Sequence, residues 1–103
     1  MIDVSEASFS EQVLESDNLV LAEFWSSWCP PCKIMEPTLK ELETDYPQVT
    51  ICKINTDRNR SLTKKYEIRG VPTFLFFKKG ELLHREVSAK SKNQLIKIIE
   101  ELK

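Results

Sequence analysis

Continuous apolar runs and helix-spaced apolar residues alternate along this chain. Residues 19–25, LVLAEFW, form a nearly unbroken apolar run of strand length, as expected for a strand that is covered on both faces. The β-branched and aromatic runs at 49–55 and 73–79 also predict strands. Residues 81–87 follow the last of these after Gly80 alone, which predicts a tight hairpin. The run at 19–25 is therefore expected in the middle of a sheet.

Four other segments carry apolar residues at helical spacing. Ser91, with Gln94 three residues later, forms the capping-box signature of the last one. With residues 2–4 as a short first strand, the element order is β-α-β-α-β-α-β-β-α. Helices between strands imply parallel crossovers and the final hairpin implies an antiparallel pair, so the pattern predicts a mixed five-stranded α/β sheet. The helical patterns are Phe9 and Val13 within residues 6–14, Met35 to Tyr46, Leu62 with Tyr66, and Leu95 to Leu102.

Length and composition fit one globular domain that spans residues 1–103, with 41% hydrophobic and 30% charged residues. The formal net charge of -1 disfavours a nucleic-acid binder, which needs a clustered excess of Lys and Arg. No apolar stretch reaches the roughly 18 residues of a membrane span. The opening MIDVSEASFSEQ lacks the basic and apolar regions of a secretory signal peptide. We therefore expect a cytoplasmic monomer that binds neither nucleic acid nor membranes.

The candidate chemistry lies in FWSSWCPPCK, residues 24–33, where two prolines separate Cys29 from Cys32. Cys29 falls just past the predicted central strand, and Cys32 is expected to open the next helix. A helix N-terminus favours a thiolate over a thiol, and cysteines at this spacing lie close enough to form a disulfide. Pro30 and Pro31 have no backbone N–H and a nearly fixed φ, so the loop should be stiff. The pair indicates a reversible dithiol.

Two other uses of this cysteine pair stay open from the residues alone, namely a metal site and a structural crosslink. A structural zinc site needs about four N or S ligands, and the rest of the chain offers only Cys52 and His84. Cys52 lies in an apolar strand pattern typical of a buried free cysteine, and His84 stands among charged neighbours typical of the surface. A crosslink that closes so short a loop restrains the unfolded chain little. We expect no metal and no cofactor.

Three motifs together resemble the thioredoxin family. WCPPCK matches the family's W-C-G-P-C-K except that Pro30 replaces the glycine, EFW matches DFW, and RGVPTFLFFKKGE matches a segment that carries a cis-proline, here Pro72. The resemblance covers residues 1–102 and implies the thioredoxin fold, with sheet order 1-3-2-4-5 flanked by four helices. It implies a thiol-disulfide oxidoreductase that reduces protein disulfides and is re-reduced by a separate thioredoxin reductase. A thiol oxidant or isomerase, and a non-catalytic scaffold of the same fold, stay open as alternatives.

The resemblance also implies roles for individual residues. Cys29 is expected to be an exposed nucleophile that attacks the substrate disulfide, and Cys32 a shielded thiol that resolves the mixed disulfide. Glu23, where the family has aspartate, should be buried, have a raised pKa and exchange protons with Cys32, while Lys53 tempers that rise. Ser88, where the family usually has glycine, should narrow the docking groove slightly. Substrate contacts are expected from Trp28, Pro30, Pro31, Val71, Pro72, Ser88 and Ala89.

Overall fold

The computed structural model describes all 103 residues and contains a five-stranded sheet with helices on both faces. The sheet order is β1-β3-β2-β4-β5, with β1, β3 and β2 parallel and β4 antiparallel to both of its neighbours. The predicted mixed sheet, its order and the four helices are confirmed. No helix combines the length and the apolar character that crossing a membrane requires. The elements are β1 (Ile2–Asp3), a π-helical segment (Ser10–Leu14), β2 (Leu19–Trp25), α1 (Pro30–Asp45), β3 (Thr50–Asn55), α2 (Arg60–Lys65), β4 (Thr73–Lys78), β5 (Glu81–Val87) and α3 (Lys92–Leu102).

Two hydrophobic clusters, one on each face of the sheet, form the core. Strand β2 contributes to both because successive side chains of a strand point to opposite faces. Its Val20 and Phe24 belong to the cluster beneath the π-helical segment and α2, and its Leu19 and Leu21 belong to the cluster beneath α1 and α3. Only Trp25, the last residue of β2, is not fully buried. The predicted central place of this strand is therefore confirmed, and its carboxyl end leads directly to the cysteine pair.

The first helical segment is shorter than predicted. A helix was expected over residues 6–14, whereas the π-helical segment covers only Ser10–Leu14 and a turn precedes it. In that turn the Ser8 N–H donates to the Ser5 carbonyl at 3.1 Å, and the Ser5 N–H donates to Ser8 Oγ at 3.0 Å. Serine hydroxyls bond nearby backbone groups in competition with helical hydrogen bonds, which explains why the helical segment begins late.

The hairpin between β4 and β5 has two loop residues, Lys79 and Gly80, rather than Gly80 alone as predicted. Their φ angles are 51° and 82°, and positive φ at both central residues defines the turn that matches the twist of paired strands. A Cβ at Gly80 would lie 3.0 Å from the carbonyl oxygen of Leu14. Glycine is therefore required at this position both for its backbone conformation and for space.

Helix α3 begins with the predicted capping box. Ser91 Oγ accepts the Gln94 N–H at 3.2 Å, and Gln94 Oε1 accepts the Ser91 N–H at 2.8 Å. Two of the N–H groups that a helix start leaves without helical partners are thus satisfied by side chains. This pair fixes the point at which the chain enters its last helix.

Ser88, directly after β5, has a φ of 73°, in the left-handed region that glycine adopts more readily. Its N–H donates to the Pro72 carbonyl at 2.8 Å, which holds this conformation. Because left-handed φ costs a residue with a Cβ about 1–2 kcal/mol, Ser88→Gly should raise the free energy of unfolding. The greater freedom of glycine in the unfolded chain offsets part of the gain, so we expect a net rise of about 0.5–1 kcal/mol in urea unfolding.

The neighbouring Ala89→Gly exchange is the matched control, since Ala89 is also exposed but does not have a positive φ. It should lower the free energy of unfolding, because glycine only adds unfolded-state freedom there. If Ser88→Gly lowers the free energy as well, the left-handed backbone at Ser88 carries no strain.

Candidate active site

The cysteine pair lies at the N-terminus of α1 and forms a disulfide, with Cα atoms 5.3 Å apart. Cys29 is the N-cap, and the helix begins at Pro30, so the prediction that Cys32 opens it is wrong by two positions. Prolines suit the first helical positions because the N–H groups there have no helical partner. Cys32 lies in the first turn, and its N–H donates to Cys29 Sγ at 3.2 Å. The helix thus directs a donor and its partial positive charge at the Cys29 sulfur.

Neither cysteine is exposed in this disulfide form. Cys29 is 3% exposed and Cys32 is 4% exposed, so the prediction of an exposed Cys29 is wrong. Cys29 lies at the wall of a surface depression of about 390 Å³ and not on an open part of the surface. Only Cys29 of the two lines this depression, so solvent reaches the pair from the Cys29 side. We call it the Cys29 pocket; it is lined by Trp28, Cys29, Pro30, Pro31, Thr56, Thr63, Ile68, Arg69, Gly70 and Val71.

Trp28 forms an apolar wall of the Cys29 pocket and is 70% exposed. Its Nε1 donates to Asp57 Oδ2 at 3.2 Å, which holds the ring in place. The sequence analysis missed Asp57. One signal was available, because Asp57 follows β3, and the carboxyl ends of the parallel neighbours β2 and β3 meet at the same edge of the sheet.

The other wall of the Cys29 pocket comes from the segment that precedes β4. The Val71–Pro72 peptide bond is cis, as the resemblance implies, and Pro72 is buried. Of the residues predicted to contact substrate, the structure brings Trp28, Pro30, Pro31 and Val71 together with Cys29 and places Pro72, Ser88 and Ala89 outside the pocket lining.

Glu23 lies on β2, paired with Lys53 of β3 on one side and with Phe74 of β4 on the other. The residue is 1% exposed, and its Oε2 has no hydrogen-bond partner. Burial raises the pKa of the Glu23 carboxyl from 4.5 to about 7, and the charge of Lys53 lowers it in part. The rise of the Glu23 pKa through burial and its partial decrease through Lys53 both agree with the predictions. A carboxyl with this pKa can accept or release a proton at neutral pH.

Lys53 does not face Glu23 alone. Its ammonium group forms an ion pair with Glu36 of α1 and lies 4.4 Å from the ring centre of Trp25. The charge of Lys53 is therefore shared between two carboxylates. The sequence analysis missed Glu36, although Glu36 follows Cys32 by four residues and so lies on the same face of α1.

The two other residues considered as metal ligands serve different purposes. Cys52 is free and buried in β3, as predicted, and burial raises the pKa of its thiol to about 12. Cys52 therefore stays a neutral thiol near pH 7. His84 is partly exposed on β5, where its Nε2 lies 2.5 Å from Glu86 Oε2. The structure contains no group of three or more His, Cys, Asp or Glu side chains that could hold a metal ion.

Comparisons with known proteins agree with this geometry. The family model described as Thioredoxin matches residues 1–101. The chain is 42% identical over 96 residues to the Thioredoxin of Pseudomonas aeruginosa, which covers 92% of this chain and 89% of that protein. It is 41% identical over 98 residues to the Thioredoxin of Rickettsia bellii, with 94% and 93% covered. The Thioredoxin of Rhodospirillum rubrum is 41% identical over 101 residues, with 97% of each protein covered.

Proposed function

Since this chain belongs to the thioredoxin family of thiol-disulfide oxidoreductases, we propose that it reduces protein disulfides through a dithiol formed by Cys29 and Cys32. The observation that carries the proposal is the position of the Cys29 sulfur, which accepts the Cys32 N–H at a helix N-terminus beside a surface pocket. A helix N-terminus and a backbone N–H stabilise a thiolate, and the pocket gives a substrate disulfide access to the Cys29 side of the pair.

The reaction starts when the Cys29 thiolate attacks one sulfur of the substrate disulfide. A mixed disulfide forms between Cys29 and the substrate, and the second substrate sulfur leaves as a thiolate. The Cys32 thiol then gives its proton to the Glu23 carboxylate and attacks the Cys29 sulfur. The mixed disulfide breaks, the Cys29–Cys32 disulfide forms, and the first substrate sulfur leaves as a thiolate. Two electrons pass to the substrate, and a thioredoxin reductase returns the protein to the dithiol.

Glu23 is proposed as the proton acceptor of the second step, and Lys53 as the residue that keeps its pKa from rising further. Burial of Glu23, its unpartnered Oε2 and its pKa of about 7 support this role. Glu23 also lies on β2, the strand whose carboxyl end leads to the cysteines.

Substrate contact is proposed for the walls of the Cys29 pocket, namely Trp28, the two prolines and Val71. The ring of Trp28 supports this role, because it is 70% exposed beside Cys29 and offers a substrate chain a large apolar surface. The backbone of Val71 is available to an extended substrate that pairs as an added strand. Pro72, Ser88 and Ala89 are proposed to contact substrate from outside the pocket lining.

Disulfide-containing proteins and a thioredoxin reductase are the partners that the family implies. We place the protein in the cytoplasm, because a disulfide reductase needs a compartment that keeps its dithiol reduced. We further propose that it acts as a monomer of one domain, residues 1–103. The single sheet, which both hydrophobic clusters share, supports one domain.

Insulin reduction in the presence of dithiothreitol tests the proposed function. The protein should accelerate the precipitation of the reduced insulin chains in a concentration-dependent way. A non-catalytic scaffold with this fold would give only the rate of dithiothreitol alone, and that result would overturn the proposal.

Pro30→Gly should preserve reductase activity and raise the reduction potential. The Cys29 sulfur accepts one N–H, that of Cys32, because neither Pro30 nor Pro31 has a backbone N–H. Glycine restores a donor and loosens the loop. A better-stabilised thiolate favours the reduced form and makes the couple more oxidising. Stabilisation of the thiolate by about 1 kcal/mol corresponds to about 20 mV for a two-electron couple. We therefore expect the reduction potential, measured by equilibration with glutathione, to rise by about 10–30 mV.

Pro30→Ala is the matched variant, since it restores the N–H with less added flexibility than glycine. Pro30→Ala should show most of the rise in reduction potential if the restored backbone N–H is its cause. A fall in potential for both variants would mean that Pro30 does not make the site more reducing.

A further inference from the structure

Three surface depressions meet at Arg69. The Cys29 pocket contains Arg69, and a neighbouring depression of about 480 Å³ shares Thr63, Ile68 and Arg69 with it. A third depression shares Arg69 and Gly70 with the Cys29 pocket. The second depression lies beside α2, and the third is lined in part by Thr73, Arg85 and Val87 of β4 and β5. We call these two depressions together the α2 groove; their charged residues are Arg60, Lys64, Glu67, Arg69 and Arg85.

The α2 groove is strongly basic in a chain whose net charge is -1. Four cations and one carboxylate give the groove a charge of +3, so the remaining residues together carry -4. Arg60 and Lys64 are exposed and form no ion pair, so their charges are available to a ligand. Glu67 pairs only with Arg69, at 3.6 Å between exposed side chains, and such a pair is weak.

We propose that the α2 groove binds an acidic segment of the substrate next to its reactive disulfide, so that substrates with Asp or Glu there are reduced fastest. The proposal rests on the proposed function, since it concerns the same reaction at Cys29. A substrate chain that presents its disulfide to Cys29 has the α2 groove as the adjoining concave surface. Arginine guanidinium groups match carboxylates in charge and shape, and complementary charges raise the rate of association.

Two synthetic peptides test whether the α2 groove favours acidic substrates. Each contains the same disulfide, flanked in one by a short run of aspartates and in the other by asparagines at the same positions. The reduced protein should react with the aspartate peptide about 10-fold faster at low ionic strength, a size typical of electrostatic steering. The ratio of the two rate constants should fall towards one as the salt rises from about 0.02 M to about 0.5 M, because salt screens exposed charges.

Charge variants test whether the α2 groove causes the faster reaction of the aspartate peptide. The double variant Arg60→Gln with Lys64→Gln should lower the ratio several-fold and leave the asparagine peptide unaffected. Glu67→Gln removes the only carboxylate of the groove and should raise the ratio. The matched control is Lys40→Gln with Lys97→Gln, which removes the same charge from exposed positions on α1 and α3, against the opposite face of the sheet.

The outcomes separate this proposal from the function on which it rests. If both peptides are reduced at equal rates, the α2 groove does not select substrates, and the reductase function stands. If the control lowers the ratio as much as the groove variant, net charge and not the groove is responsible, which also overturns the proposal. If neither peptide is reduced, the proposed function fails and the groove proposal fails with it.

Discussion

Cys29→Ser should lower the rate of insulin reduction to that of dithiothreitol alone, a loss of about 10³-fold or more in kcat/KM. The serine hydroxyl is not ionised at neutral pH and cannot form a mixed disulfide, so the first step of the reaction is lost. The helix N-terminus and the Cys32 N–H that stabilise a Cys29 thiolate would then have no anion to stabilise. Turbidity of insulin solutions measures this rate directly.

Cys52→Ala is the matched control for this loss. Cys52 is free, buried in β3 and kept as a thiol by a pKa of about 12. Its removal should leave kcat/KM unchanged and reduce stability slightly through the small cavity that remains. Equal inactivation of the two variants would show that loss of a cysteine disturbs the fold, and the nucleophile assignment would lose its support.

Glu23→Gln should slow turnover at neutral pH by about 10- to 100-fold, because the amide cannot accept the Cys32 proton. The same variant should be more stable than the wild type above neutral pH. The ionised carboxylate of Glu23 is buried with one oxygen unpartnered, which destabilises the folded state. A loss of activity together with a gain of stability distinguishes a functional buried carboxyl from a structural one.

The gain in stability should depend on pH in a defined direction. The folded protein holds the Glu23 proton up to a pKa of about 7, whereas the unfolded chain releases it near 4.5. The wild type therefore loses free energy of unfolding as the pH rises through this interval, while the glutamine variant does not. The rise of the pKa from 4.5 to about 7 corresponds to a difference of about 3 kcal/mol.

Urea unfolding at about pH 4 and about pH 8 measures both ends of this interval. The wild type and Glu23→Gln should have nearly equal free energies of unfolding at the acidic pH. At the basic pH the free energy of unfolding of the variant should be higher by the full difference. Equal stability at both ends, with full activity of the variant, would show that Glu23 is solvated in the folded protein.

The sheet was predictable because its strands have distinctive patterns. The apolar run of β2, interrupted only by Glu23, leaves no polar face for solvent, so a central position suits it. The hairpin loop and the start of the π-helical segment were not predictable in the same way. They depend on a positive φ at Lys79 and on hydrogen bonds between Ser5 and Ser8, which leave no periodic signal in the sequence.

Within the site, the residues of local motifs were predictable and their distant partners were not. Glu23 could be recognised because EFW resembles the family's DFW, which places a carboxyl within this apolar strand. Glu36 and Asp57 were missed because their contacts join residues 17 and 29 positions apart along the chain. The exposure of Cys29 was predicted wrongly for a related reason, because residues from several separate chain segments line the depression in which it lies.

The assignment of Cys29 as nucleophile and Cys32 as resolving thiol is tested most directly by trapping the intermediate. Reduced Cys32→Ser is mixed with a disulfide peptide, the product is digested, and the modified cysteine is identified by mass spectrometry. We expect a stable mixed disulfide through Cys29, because no second thiol is present to resolve it. The reduced Cys29→Ser variant, treated in the same way, should form little or none. A stable adduct through Cys32 in that variant, with none through Cys29 in the other, would contradict the assignment.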